Sequence, residues 1–474
     1  MIFSSSVFLA FFLPLLLVLY YLSGRQYRNY VLLFGSIFFY SWGAPKFILV
    51  ILGTTFLDFI LVRAMHNRED PVEKKALLVL SLCMNLGLLF YFKYCNFFID
   101  NINVLFESWG IGKIGALNVI LPIGISFYTF ETVTYVVDVY RGVHKPLDNF
   151  FNYLLYIILF PKLIAGPIIR YHEIADQITD RSANDTLDNR LSGFYRFGIG
   201  LAKKVIIANH VAAYADTVFD SDPGQLHAAT AWMGALAYTF QIYFDFSGYS
   251  DMAIGLGKML GFRFPENFNN PYISQSITEF WRRWHITLGN WMRNYLYIPL
   301  GGNRAGTGRM YLNLYLVFLA SGLWHGAAWT FVLWGAWHGL FLILDRVLLD
   351  RLLKRTGKIT RVLFTFFIVV VGWVMFRADT VAGADSFYKA MLGQNTAVAF
   401  VLPEPEYWPA FALAIFFGFF CFFKRGDLFQ QKIYFGTPNI SGHIALTAIS
   451  LLLFTLSLSY ITAAGFNPFI YFRF

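Results

Sequence analysis

Charge is what this sequence has least of. Only 14% of its 474 residues are charged, against roughly 25% in soluble domains. With 57% hydrophobic and 20% aromatic residues and a mean hydropathy of +0.54, such a chain belongs in a bilayer rather than in water. Cysteine is scarce too. Cys83, Cys95 and Cys421 form an odd, widely spaced set in apolar segments, which excludes a disulfide framework and leaves packing as their role. Neither HExxH nor CxxC occurs among the nine histidines and three cysteines, so no metal site is expected. Internal repeats, low-complexity stretches and a separate soluble domain are also missing.

What is there is continuous apolar sequence. It lacks the alternation of a membrane barrel, and only helices or closed barrels span a bilayer. The fold class is all-α and polytopic, one membrane domain over 1–474 with about eleven spans. Candidate spans fall at about 4–23, 29–44, 47–65, 76–97, 118–139 and 149–166, and later ones near 360–376, 408–423 and 443–463. Arg25 and Arg28, then Arg68, Lys74 and Lys75, then Arg141 and Lys145 fall on alternate loops. The positive-inside rule makes those loops cytoplasmic and puts the N-terminus outside. Val7–Leu22 has no basic residue before it and reads as a first span, not a cleavable signal. The net charge of +9 follows from this flanking pattern, so lipid headgroups, not nucleic acid, are the expected polyanions.

Two regions break the pattern. Between Pro161 and Asn209, Lys162, Arg170, Arg181, Arg190, Arg196, Lys203 and Lys204 interrupt short apolar pieces, which predicts re-entrant or interfacial helices on the cytoplasmic side. Ala228–Leu260 is long enough for one span plus a broken second, with Gly248 permitting the break. Its centre holds Tyr243, Asp245, Ser247 and Asp251. Two carboxylates there suggest a proton relay, a cation site or pairing with a buried basic residue. No Lys or Arg lies between Gln241 and Asp251, so structural hydrogen bonding is the favoured reading.

The chain is organised around Ser321-Gly322-Leu323-Trp324-His325-Gly326-Ala327-Ala328-Trp329, with Trp337-His338-Gly339 close behind. An imidazole inside an apolar run marks a functional site unless it is a satisfied core histidine. His325 and His338 are thirteen residues apart, out of phase on one continuous helix. They share a site only if the chain breaks between them. Phe280–Asn294 predicts one amphipathic interfacial helix. Arg282, Arg283, Thr287, Asn290, Arg293 and Asn294 fall on one side, and His285 turns toward the protein body. The arginines suit anionic lipid headgroups or the phosphates of an acyl donor.

These residues resemble the membrane-bound O-acyltransferase family, in the bacterial branch that O-acetylates exopolysaccharides such as alginate. The resemblance is carried by Leu121–Phe130, Phe160–Ile168, Tyr243–Gly255, Phe264-Pro265-Glu266-Asn267-Phe268, Phe280–Trp291, Leu323-Trp324-His325-Gly326 and Gly372–Arg377. It implies helices around a funnel open to the cytoplasm, with a catalytic core over about 118–345. His325 maps onto the family's deep catalytic histidine, the general base that takes the hydroxyl proton, and such help contributes about 10² to 10⁴-fold. His285 maps onto a supporting histidine that orients the donor or stabilises the oxyanion. Tyr243, Asp245, Ser247, Asp251, Arg282, Arg283 and Trp324 are the implied substrate-binding set. The resemblance further implies acetyl-CoA as acyl-donor substrate with no bound cofactor, the bacterial inner membrane as location, and a separate periplasmic hydrolase-like acetyltransferase as partner. D-alanyl transfer to teichoic acid and peptidoglycan O-acetylation fit the same motifs. A transporter or flippase is the reading from another class, and the two halves lack the matching broken segments that point to one.

Overall fold

The computed structural model describes residues 1–304, 306–395, 400–464 and 469–470. All regular elements among them are helices, as the continuous apolar runs predict. Two compact units form: residues 1–186 with 260–264, and residues 187–259 with 265–474.

The first unit contains helices Leu13–Leu22, Arg28–Gly43, Ile48–Asn67 and Ile125–Tyr140, and a helical run from Pro71 to Ser108. Two of its buried charges are matched by partners. Asp58 accepts hydrogen bonds from Ser81 Oγ at 2.5 Å and Asn85 Nδ2 at 2.7 Å. Lys162, fully buried, pairs with Glu131 and places its ammonium 4.6 Å from the centre of the Tyr156 ring. A lone lysine at that depth is costly, and a carboxylate plus an aromatic face offset the cost.

The second unit corrects two expectations. Leu187–Ala202, Lys203–Ala208 and Asn209–Phe219 join into one uninterrupted helical run instead of short interfacial pieces. Ala228–Met259 is a single 32-residue helix with no break at Gly248. One physical reason covers both. The charges that disqualified the first segment are neutralised by those that puzzled in the second. Arg196 and Lys203 each lie 2.7 Å from Asp251, Lys204 lies 2.8 Å from Asp245, and Arg196 also holds Glu266 at 2.5 Å. Gly248 serves close approach. A Cβ there would sit 2.7 Å from the Gly200 carbonyl oxygen, and one on Gly200 would sit 2.6 Å from that of Gly248. Gly193 and Gly255 repeat the arrangement at 2.6 Å in both directions. The two antiparallel helices thus touch through glycines seven residues apart on each, and the short separation brings the ion pairs together.

Among the described residues, five helices are long and apolar enough to cross a membrane: Ile48–Asn67, Pro71–Ser108, Trp329–Leu353, Lys358–Arg377 and Ile440–Ala463. Tyr407–Phe422 and Lys424–Phe435, bent by 97°, make a sixth if they form one broken span. The protein is a multi-pass membrane protein.

Candidate active site

The site begins with a helical hairpin in the second unit. Thr307–His325 ends at His325, Gly326 and Ala328 are extended, and Trp329–Leu344 returns. The two helices press together at glycine. A Cβ on Gly322 would run into the Phe331 carbonyl oxygen, and one on Gly335 into that of Phe318. His325 therefore sits at the hairpin's turn, 6% exposed. Three rings meet its imidazole edge to face: Trp324 at 4.9 Å, Trp334 at 5.2 Å and Phe376 at 5.1 Å between centroids. Phe376 comes from the Gly372–Arg377 stretch, so that motif reaches the histidine directly.

His285 is placed differently, and here the structure departs from the expected single helix over Phe280–Asn294. Ile277–Arg283 stops at Trp284, which is extended. A new helix, Ile286–Met292, starts from His285 in the left-handed region at φ 44° and ψ 54°. Only one other non-glycine residue among those described has positive φ, Asn270. The helical period breaks because Asn267 captures the chain at that point. Its carbonyl oxygen accepts from the Ile286 N–H at 2.9 Å. Its side-chain Oδ1 accepts from the Thr287 N–H at 3.3 Å and from Thr287 Oγ1 at 2.9 Å. Thr287, assigned to the exposed basic face, is instead buried. His285 is turned inward as expected, 2% exposed, with its ring 4.7 Å from Phe246 and 6.1 Å from Trp324.

The two histidines, forty residues apart in sequence, line one cavity of about 560 Å³. Arg282, Arg293 and Arg346 line the same cavity, and all three are exposed. The space thus has a basic, solvent-reaching side and an apolar side holding two imidazoles. Arg346 was not singled out in the sequence. It follows a long apolar stretch, and no local signal ties it to the arginines of the other element.

The remaining expected residues fall elsewhere. Trp324 is buried between the two histidine rings. Arg283 does not line the cavity; its guanidinium bonds Glu279 at 2.8 Å and the Asn269 carbonyl oxygen at 3.1 Å. Tyr243, Asp245, Ser247 and Asp251 are all buried on Ala228–Met259 and do not line this cavity. Asp245 and Asp251 have the basic partners described above. From that block it is Ser250 that reaches the site, accepting a hydrogen bond from Asn267 Nδ2 at 3.0 Å. The chain does break between His325 and His338, yet they do not share the cavity. His338 is boxed by Trp281, Trp334 and Trp373 at 4.8, 5.1 and 6.3 Å, and Trp334 stands against both histidines. Neither ring nitrogen of His338 has a hydrogen-bond partner among the described residues.

Such an arrangement suits proton transfer at a carbonyl. Two histidines line one space, and a cationic opening suits an anionic substrate. The model of MBOAT, the membrane-bound O-acyltransferase family, matches residues 140–378. A probable alginate O-acetylase of Pseudomonas putida is 44% identical over the full length of both chains. A peptidoglycan O-acetyltransferase of Helicobacter pylori is 37% identical over 83% of this chain and 80% of its own. A teichoic acid D-alanyltransferase of Bacillus subtilis is 29% identical over 48% of this chain and 59% of its own.

Proposed function

This chain belongs to the membrane-bound O-acyltransferase family, in its polysaccharide O-acetylation branch, and we propose that it moves acetyl from cytoplasmic acetyl-CoA across the bacterial inner membrane for O-acetylation of an extracytoplasmic polysaccharide such as alginate or cellulose. The observation that carries the reading is the shared cavity. His325 and His285 line it together with three arginines, which supports reading a proton acceptor and a phosphate-attracting opening in one space. His325 acts as the general base, taking the proton as the hydroxyl oxygen attacks the thioester carbonyl and returning it to the sulfur as the C–S bond breaks and the thiol leaves. Its three-ring cage excludes water and holds the imidazole in place. The phosphates of the donor sit toward Arg282, Arg293 and Arg346.

The chain lies with its N-terminus outside, about eleven helices cross the membrane, and the cavity opens to the cytoplasm. A separate periplasmic hydrolase-like acetyltransferase receives the acetyl group and completes the modification. Peptidoglycan is the second candidate polymer, favoured by the 37% identity to the Helicobacter pylori enzyme.

The test measures O-acetyl content of the host's surface polysaccharides with wild type, His325→Ala and His338→Ala at equal membrane levels. Loss with His325→Ala alone is expected, and the polymer affected names the acceptor. Full acetylation with His325→Ala would show that it is not the base.

A further inference from the structure

The contacts of Asn267 determine which nitrogen of His285 carries its proton. An Asn side chain has one oxygen and one nitrogen, and they are told apart by what they touch. The Thr287 backbone N–H can only donate, so the atom of Asn267 facing it at 3.3 Å is the oxygen Oδ1. The nitrogen Nδ2 then points at Ser250 Oγ, 3.0 Å away. That same Oδ1 lies 3.1 Å from His285 Nδ1. An oxygen acceptor requires a donor opposite, so Nδ1 bears the hydrogen. In the neutral ring Nε2 therefore carries the lone pair.

Nε2 is buried and has no hydrogen-bond partner among the described residues. The residue it belongs to is among those lining the cavity shared with His325. A buried acceptor left unsatisfied is unfavourable unless a bound molecule completes it. The left-handed backbone at His285 adds to this, because a φ of 44° is disfavoured for any side chain with a Cβ. Such a conformation persists where the surroundings over-determine it, and Asn267 supplies that through bonds to Ile286, Thr287 and the ring itself.

We infer that Asn267 is a positioning residue for the transfer reaction: it fixes His285 as the Nδ1–H tautomer and leaves Nε2, buried behind the cavity wall, as a hydrogen-bond acceptor for a substrate O–H or N–H. The inference rests on the acyltransferase reading above. It assigns His285 to holding a donor group of a substrate, and it removes the oxyanion role, since a neutral ring in this tautomer offers the cavity no N–H. Ser250 sits at the far end of the relay and holds the amide against rotation.

The experiment compares wild type, Asn267→Leu and Asn267→Asp, purified in detergent at matched monodispersity, with acetyl-CoA and a hydroxyl acceptor across pH. Asn267→Leu keeps the side chain's size but has no acceptor, and a loss of roughly 10- to 100-fold in kcat/KM is expected, the scale of a misoriented reactive group. A loss confined to KM for acetyl-CoA means that Nε2 holds an amide N–H of the donor arm; a loss in kcat means that it holds the attacking hydroxyl. Asn267→Asp still accepts from Nδ1–H and from Thr287. It is expected to recover much of the lost rate, with the acid limb of the profile moved to higher pH, since a carboxylate beside the ring favours the imidazolium. Wild-type rates with Asn267→Leu overturn the inference, as does an Asp variant no better than the Leu variant. If Asn267→Leu does not reach the membrane, the Asp variant decides, and an unmoved acid limb overturns the assignment. Wild-type protein that transfers no acetyl sinks the acyltransferase reading itself, which separates the two failures.

Discussion

Arg196 and Asp251 meet 2.7 Å apart inside the second unit, 4% and 6% exposed. Lys203 joins Asp251 from the same helical run as Arg196. Removing one member of a buried pair leaves the other charge without compensation, typically a loss of about 3 kcal/mol or more. Asp251→Asn is expected to lower the melting temperature in detergent, with turnover per folded molecule largely kept. Lost turnover at unchanged melting would instead put Asp251 at the chemistry.

Where the helices meet, Gly200 leaves no room for a side chain, because the nearest atom to a Cβ is the Gly248 carbonyl oxygen. Backbone cannot swing aside as a side chain can. Gly200→Val is expected to destabilise by about 1–3 kcal/mol and to deplete the protein from the membrane fraction. An equivalent level and melting point would mean that the helices lie farther apart than described.

His338 and Gly372 offer a sharper test of local packing. A Cβ on Gly372 would sit 2.5 Å from His338 Nε2 and 3.3 Å from Trp337 Cδ1. Gly372→Ala should destabilise, and adding His338→Ala should return part of the loss. A coupling of about 1 kcal/mol is expected between contacting residues. Additive losses in the three melting curves would refute the contact.

Arg346 separates donor binding from lipid binding. If it attracts the phosphates of acetyl-CoA, Arg346→Ala raises KM for the donor while leaving kcat near wild type, and the difference shrinks as salt rises. An unchanged KM combined with a changed dependence on anionic lipid would assign the residue to the bilayer surface.

The fold class, several of the apolar spans and the two cavity histidines were legible in the sequence because each is written locally, as a hydrophobic run or an imidazole within one. What escaped was relational. Arg196, Lys203 and Lys204 look incompatible with a buried helix until Asp245 and Asp251 are brought beside them, and no local pattern states that pairing. The break at His285 escaped for the same reason. The helical period runs smoothly through Trp284 and His285, and what overrides it is a carbonyl and an amide oxygen supplied by Asn267, eighteen residues upstream. Asn267 stood in plain view within Pro265-Glu266-Asn267-Phe268 as a family marker, but its task is visible only in three dimensions. Trp334 walls His325 together with Phe376 of the Gly372–Arg377 motif, and no local signal singled it out.

The left-handed backbone at His285 also shows how strongly that position is held by its neighbours. Glycine occupies such a conformation without the roughly 1–2 kcal/mol cost that a Cβ carries. Yet the buried ring packs on Phe246 and Trp324 and bonds Asn267, and emptying a buried site of that size costs about 2–5 kcal/mol. His285→Gly should therefore melt lower than wild type despite its easier backbone: the packing around the imidazole outweighs the strain beneath it.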